Sequence, residues 1–160
     1  LAKRLSGAAL DVLINNAGIF LNETIEAMDF ATIEKQLAVN ALGPLRITSA
    51  LLGSLGRGAK VAIITSRMGS MGDNSSGAYY GYRMSKAAVN AAGVSLARDL
   101  APRGVAVGLF HPGMVATDMT GRHGIPPADS AAGLITRIDA LSLETSGKFI
   151  HAVTGEELPW

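Results

Sequence analysis

The sequence contains no cysteine, so it can form neither a disulfide framework nor a thiolate metal site. A reducing compartment suits such a chain, and we expect a cytoplasmic location. Charged residues make up only 17% of the 160 positions, and 14 Lys and Arg nearly balance 13 Asp and Glu. Without a block of basic residues, nucleic acid and acidic membrane surfaces gain no support as partners.

Long apolar runs are also missing, and none approaches the roughly 18 residues of a transmembrane helix. The three histidines lack the spacing of metal ligands, so we expect no metal site. The first residues, Leu1 to Leu5 with Ser6 and Gly7, are typical of the last turns of a helix rather than of a signal peptide. Because no initiator methionine precedes them, we expect the chain to begin inside a larger domain.

Hydrophobic residues reach 48% of the sequence and occur in short runs that alternate with helical patterns. Such runs predict buried strands of a parallel α/β sheet with right-handed crossovers. The predicted strands are 10–14, 59–65, 105–110 and 148–153. The predicted helices are 27–55, bent at Gly43-Pro44, then 79–100 and 129–141. Residues 1–160 are therefore interpreted as one domain or a part of one.

Tyr82 and Lys86 are four residues apart on a predicted helix, so they share one face. A phenol titrates near pH 10, and a neighbouring ammonium group lowers that pKa toward neutrality, where the phenol can act in acid-base catalysis. Neither Tyr79 nor Tyr80 has a lysine at the same spacing. The alternative is a chance pairing on a solvated helix face.

Other polar residues follow predicted strands, where open α/β sheets bind their ligands. Ser66 could donate a hydrogen bond to a substrate carbonyl, or it could merely cap a turn. Asn40 lies among apolar residues, either as a buried amide that ties a helix to the sheet or as a group that positions a water near Lys86. Gly18 would allow a ligand to approach the backbone closely.

These residues together resemble the short-chain dehydrogenase/reductase superfamily. The matching motifs, in the family's order, are Asn15-Asn16-Ala17-Gly18, Asn40, Ser66, Tyr82-x-x-x-Lys86 and Pro112-Gly113-x-x-x-Thr117. The resemblance implies a Rossmann-like, doubly wound parallel sheet and an enzyme that transfers a hydride between NAD or NADP and a small carbonyl or alcohol substrate. It also implies a homo-oligomer.

The resemblance further implies a role for each matched residue. Tyr82 would be the catalytic acid/base, Ser66 would hold the substrate oxygen, and Asn40 would support a proton-relay water. Lys86 would lower the pKa of Tyr82 and, with Tyr82, lie at the nicotinamide ribose. The remaining cofactor contacts would come from Asn16, Ala17, Gly18, Pro112, Gly113, Val115 and Thr117.

A closer resemblance is to the bacterial C-factor (C-signal) branch, through Thr65-Ser66-Arg67-Met68-Gly69-Ser70 and the tail 155–160. This branch is linked with cell-cell signalling, so a signalling fragment or a non-catalytic binding subunit is the alternative to a carbonyl reductase. The common family spacing would put the serine at position 69, which is glycine here. We favour Ser66, directly after the strand, and keep Ser70 as a minor candidate.

The family's N-terminal glycine motif, which binds the cofactor pyrophosphate, has no counterpart before Asn15. We therefore expect this chain to be the C-terminal part of the fold, about four strands with their helices, without the first βαβ region. The motif that separates NAD from NADP would lie in the same missing region.

From that expectation follows a first prediction: the 160-residue chain alone is inactive and shows no measurable binding of NAD or NADP, because most of the pyrophosphate site is absent. Isothermal titration calorimetry with each coenzyme checks it. A clear binding isotherm would contradict the prediction.

Overall fold

The computed structural model describes residues 2–5 and 7–160, and within them four parallel strands form one sheet. The strands lie side by side in chain order, with in-register pairing of each neighbouring pair. They are β1 (Val12–Asn15), β2 (Lys60–Ile64), β3 (Ala106–His111) and β4 (Phe149–His151). The prediction of a parallel α/β sheet of about four strands is confirmed.

The helices connect the strands as crossovers. They are α1 (Phe30–Gln36), a π-helical segment (Leu37–Leu42), α2 (Gly43–Ala50), α3 (Tyr80–Leu100) and α4 (Pro127–Asp139). None of the helices in the described ranges has the length and apolar character needed to cross a membrane.

The predicted helix 27–55 is wrong in extent and in regularity. Asp29 ends the preceding loop, since its carboxylate caps α1 by accepting from the backbone N–H groups of Ala31 and Thr32. The helical hydrogen-bond pattern changes to π just before Pro44, which has no N–H to donate to the turn before it. At the N-terminus a 3-10 turn covers Ala2–Arg4, whereas Leu1 and Ser6 lie outside the described residues.

The two central strands are buried on both faces, as the sequence predicts. On one face Val61, Ile63 and Val107 pack against α3, where Val89 is also fully buried. On the other face α4 contributes Ile138 to a second cluster, whose further buried members are Ala62, Ala106, Phe110 and Leu141. Open α/β sheets covered by helices in this way bind their ligands at the carboxyl ends of the strands.

Close packing of α3 on the sheet yields a prediction about stability. A Cβ atom on Gly93 would lie 2.5 Å from Cδ2 of Leu109 and 3.3 Å from Cδ1 of Ile63, inside a well-packed core. Gly93→Ala should therefore lower the free energy of unfolding by about 1–3 kcal/mol, although alanine is the better helix former. Urea denaturation measures the change.

The matched control is Gly53→Ala, because no atom lies within 4 Å of a Cβ at Gly53. This substitution should leave the free energy of unfolding nearly unchanged. Equal urea midpoints for the two variants would show that α3 does not press on β3 at Gly93.

Candidate active site

One large cavity, about 1050 Å³, opens at the carboxyl ends of the strands. Loops after β1, β2 and β3 form its walls together with the first turns of α3, because the carboxyl ends of parallel strands meet at one edge. Ten residues predicted from the sequence line it: Asn16, Ala17, Gly18, Ser66, Tyr82, Lys86, Pro112, Gly113, Val115 and Thr117. Asn40 and Ser70 do not line it.

Tyr82 and Lys86 lie on the same face of α3, as their spacing predicts. The Nζ atom of Lys86 is 5.6 Å from the centroid of the Tyr82 ring and donates to the backbone carbonyl of Ile64, 3.0 Å away. The lysine side chain is buried, and burial lowers its pKa to about 8. This lysine is therefore mostly charged at neutral pH and loses its charge as the pH rises past about 8.

Tyr82 is also buried, and its neighbours are specific. The ring of Phe20 meets its ring edge-on at 4.8 Å between centroids, and the side chain of Ser66 lies near its hydroxyl. Burial raises the pKa of Tyr82, and the polar side chain of Ser66 lowers it by a smaller amount. The expectation that Lys86 brings the phenol pKa toward neutrality is wrong for this structure, since desolvation outweighs the other influences.

The loop after β2 explains why glycine occupies position 69. A Cβ there would lie 2.7 Å from the carbonyl carbon of Lys86 and 2.9 Å from its Cβ, so no side chain fits. Ser66 caps the turn by accepting from the N–H of Met68, which is one of the two roles predicted for it, and its side chain lines the cavity near Tyr82. Ser70 instead turns away from the cavity and accepts from the N–H of Asp73.

Asn40 lies behind the cavity, in the π-helical segment. Its side-chain amide exchanges two hydrogen bonds of 2.8 Å with the backbone of Ile19 and donates to the hydroxyl of Ser85 at 3.0 Å. Ser85 in turn donates to the backbone carbonyl of Tyr82. Asn40 is thus a buried amide, as one interpretation predicts, but it ties its helical segment to the loop after β1 and to α3 rather than to the sheet.

The backbone at Gly18 passes close to the buried lysine. A Cβ there would lie 3.3 Å from Oδ1 of Asn40 and 3.6 Å from Nζ of Lys86, so glycine keeps this stretch of the cavity wall open. Asn16 and Ala17 line the same cavity as Gly18, Lys86 and Tyr82. Its volume of about 1050 Å³ and the open wall at Gly18 are compatible with a nicotinamide cofactor.

Sequence reasoning missed several residues of the cavity wall. The methionines at 68, 114 and 119 all line it, and the last two are exposed. His111, which the sequence analysis excluded only as a metal ligand, lines the cavity and packs edge-on against His151 at 4.9 Å between ring centroids. Burial lowers the pKa of His111 to about 4, so it is neutral at physiological pH.

Glu23 is the least expected of the buried polar residues, because a single acidic residue in a loop carries no sequence pattern. Its side chain is fully buried, and its carboxylate accepts hydrogen bonds from Thr32, Gln36 and the backbone of Gly81. Gly81 directly precedes Tyr82, so Glu23 lies just behind the cavity.

Comparison with curated proteins gives two relatives of high similarity. The chain is 48% identical to 1-hydroxy-2-glutathionyl-2-methyl-3-butene dehydrogenase of Rhodococcus sp., over 100% of this chain and 74% of that protein. It is also 48% identical to C-signal of Myxococcus xanthus, over 94% of this chain and 93% of that protein. The resemblance to the C-signal branch is thereby confirmed.

Among solved structures, the NADPH-bound carbonyl reductase from chicken fatty liver superposes with a TM-score of 0.90 at 29% identity. The match covers 99% of this chain and 69% of that one, which confirms the Rossmann-like sheet. The sequence model of the family described as short chain dehydrogenase matches residues 2–125. The chain that brings Ser66, Tyr82 and Lys86 to one cavity thus belongs to the short chain dehydrogenase family.

Proposed function

We propose that this protein reduces a small carbonyl compound to an alcohol, or runs the reverse reaction, with a nicotinamide cofactor as hydride donor or acceptor. The observation that carries the proposal is a buried phenol, Tyr82, in the same cavity as Ser66 and Lys86. A group of this kind can protonate a carbonyl oxygen that enters the cavity.

In the reductive direction each side chain has a defined task. The hydroxyl of Ser66 donates a hydrogen bond to the substrate oxygen and orients the carbonyl. The hydroxyl of Tyr82 transfers its proton to that oxygen while the carbonyl carbon gains a hydride, so the product is a neutral alcohol. The raised pKa of Tyr82 keeps the phenol protonated before the reaction, as a proton donor requires.

Lys86 serves the state after proton transfer, when Tyr82 carries a negative charge. An ammonium 5.6 Å from the ring centroid stabilises this phenolate, and the low dielectric of a buried site strengthens the attraction. Asn40 would contribute by fixing the helix through Ser85, and a water held near it remains part of the proposal.

The cofactor would supply the hydride. Lys86 and Tyr82 would hold its nicotinamide ribose, Asn16, Ala17 and Gly18 would hold the adenosine side, and Pro112, Gly113, Val115 and Thr117 would hold the carboxamide and pyrophosphate. Both NAD and NADP are compatible with these residues, and the NADPH named for the chicken reductase favours NADP.

The substrate is a small molecule with an apolar body. Phe20, Met68, Met114 and Met119 line the cavity beside Tyr82, and methionine side chains adapt to irregular apolar shapes. The Rhodococcus relative is named for a hydroxylated glutathione conjugate, so an alcohol of that class is a reasonable first compound to assay.

A second candidate function is cell-cell signalling, favoured by the match to C-signal over 93% of that protein. The two functions differ in their need for the phenol, because a signalling or binding role requires the fold but no proton transfer at Tyr82. Assembly into a homo-oligomer also remains a proposal. Exposed apolar side chains on α1, the π-helical segment, α2 and α3 support it: Phe30, Leu42, Ile47 and Met84.

Replacing Tyr82 by Phe in the full-length protein removes the proton donor without changing the ring. Turnover of a carbonyl substrate should fall by roughly 10²–10⁴-fold, the usual contribution of general acid catalysis. Coupled oxidation of the reduced cofactor, followed by absorbance, measures the rate. Tyr80→Phe is the matched control, since Tyr80 precedes Tyr82 on α3 but does not line the cavity. Undiminished turnover in Tyr82→Phe would refute the enzymatic proposal, and retained signalling by this variant would favour the second function.

The rate of carbonyl reduction should depend on pH through Lys86. Because burial lowers the pKa of this lysine to about 8, the ammonium loses its charge as pH rises through 8, and the phenolate of Tyr82 loses its stabilisation. We expect kcat/KM to be constant well below pH 8 and to fall above it.

Lys86→Arg provides the control, because a guanidinium stays charged across this range. The variant should be slower at every pH but should lack the fall near pH 8. An unchanged alkaline limb in Lys86→Arg would assign the titration to another group.

A further inference from the structure

Glu23 lies in the loop between β1 and α1, and its fully buried carboxyl group contacts the first turn of α3, the helix that carries Tyr82 and Lys86. Its Oε1 accepts from Oγ1 of Thr32 at 2.8 Å and from Nε2 of Gln36 at 2.6 Å. Its Oε2 accepts from the backbone N–H of Gly81 at 3.1 Å. Three neutral donors thus meet the two carboxyl oxygens, and no ion pair to Glu23 occurs in the described part of the chain.

The same residue also bonds through its backbone to the start of α3. The carbonyl of Glu23 accepts from the N–H of Tyr79 at 2.9 Å, and Tyr79 has a left-handed backbone, with φ of 54°. A non-glycine residue in this conformation needs surrounding contacts to hold it there. Glu23 therefore holds the start of α3 at two points. Its backbone carbonyl binds Tyr79, the residue before the helix, and its side chain binds the N–H of Gly81 in the first turn.

The space around this contact leaves α3 no freedom to shift. A Cβ on Gly81 would lie 2.3 Å from Nε2 of Gln36 and 3.1 Å from Oε1 of Glu23. The first turn of α3 therefore rests directly on the glutamate and the glutamine. Tyr82, the next residue, extends from this turn into the cavity.

We propose that Glu23 is a positioning residue for Tyr82: by accepting the N–H of Gly81 it sets the first turn of α3 so that the phenol reaches Ser66 and the substrate oxygen. The inference rests on the proposed function, because it assigns Glu23 a part in proton transfer at Tyr82. Glu23 itself does not line the cavity, so it acts only through the helix.

A carboxylate suits this position better than an amide of the same shape. All three groups that meet the side chain are donors, and an amide would turn an N–H toward at least one of them. Gln36 cannot compensate by rotating its amide, because its Oε1 already accepts from the N–H of Leu21 at 2.9 Å. Glu23→Gln therefore disturbs the hydrogen bonds at α3 while keeping the side-chain volume.

The chain also offers a compensating pair of substitutions, Glu23→Gln together with Gln36→Glu, which we call the double variant. The new glutamine can keep its oxygen on the N–H of Gly81 and donate to the new carboxylate at position 36. That carboxylate can still accept from Leu21. Thr32 retains the backbone carbonyl of Asp29 as an acceptor at 2.9 Å.

The experiment measures kcat and KM for carbonyl reduction in four full-length proteins: the wild type, Glu23→Gln, the double variant and Glu26→Gln. Glu26 is an exposed glutamate three residues along the same loop and serves as the control. Circular dichroism establishes that each variant is fully folded at the assay temperature. Amide hydrogen exchange of the peptide covering 79–84 reports on the first turn of α3 independently of turnover.

We expect Glu23→Gln to lower kcat about tenfold, with KM within about twofold of the wild type and faster exchange in the 79–84 peptide. The double variant should recover most of the lost kcat, and Glu26→Gln should behave as the wild type. A fully folded Glu23→Gln protein with wild-type kcat overturns the positioning role, even if it melts at a lower temperature, because stability alone is then affected.

Failure of the proposed function looks different. In that case the wild type itself reduces no carbonyl substrate. Amide hydrogen exchange of the 79–84 peptide then decides whether Glu23 holds the start of α3. An unchanged rate of amide hydrogen exchange in Glu23→Gln overturns the inference in either case. A faster rate in Glu23→Gln that returns to the wild-type rate in the double variant supports the placement of α3 by Glu23.

Discussion

The close approach of α3 to its neighbours determines much of this structure. At Gly93 the helix lies against Leu109 of β3, and at Gly81 it lies against Gln36 of α1, in each case too close for a Cβ atom. The loop after β2 approaches the same helix at Gly69, where the backbone of Lys86 occupies the space of a side chain. A helix held from three sides in a close-packed interior has few alternative positions.

The chemistry of the cavity follows from that packing. Because α3 is pressed against the sheet and the loops, Tyr82 and Lys86 are both buried although each carries an ionisable group. Burial moves their pKa values in opposite senses, up for the acid that is neutral when protonated and down for the base that is charged when protonated. Both shifts favour the uncharged forms, so the resting site holds a protonated phenol and a lysine close to its titration point. Such a pair is suited to giving a proton to a carbonyl oxygen.

The segment between β1 and α1 is held in place by side chains rather than by regular secondary structure. Asn40 binds both backbone groups of Ile19, Gln36 accepts the N–H of Leu21, and Glu23 reaches the N–H of Gly81. Each of these side chains is buried, where an unpaired polar group would be costly, so the bonds are strongly favoured once the fold forms. Through them the segment that carries Gly18 and Phe20 is fixed relative to Tyr82.

The sequence by itself determined the parallel α/β sheet, because short apolar runs alternate with helical patterns. The family resemblance supplied most of the cavity residues, whereas spacing or position after a strand singled out Gly18, Ser66, Tyr82 and Lys86. Those signals are local and survive without knowledge of what packs against them. The start of α1 after Asp29, the π-helical segment, the direction of the Tyr82 pKa shift and the cavity-lining methionines were beyond its reach. The buried Glu23 was missed as well, since it lies 58 residues from the Gly81 amide that it accepts. Only the tertiary structure decides such features, because desolvation and hydrogen bonding depend on which distant segments come together.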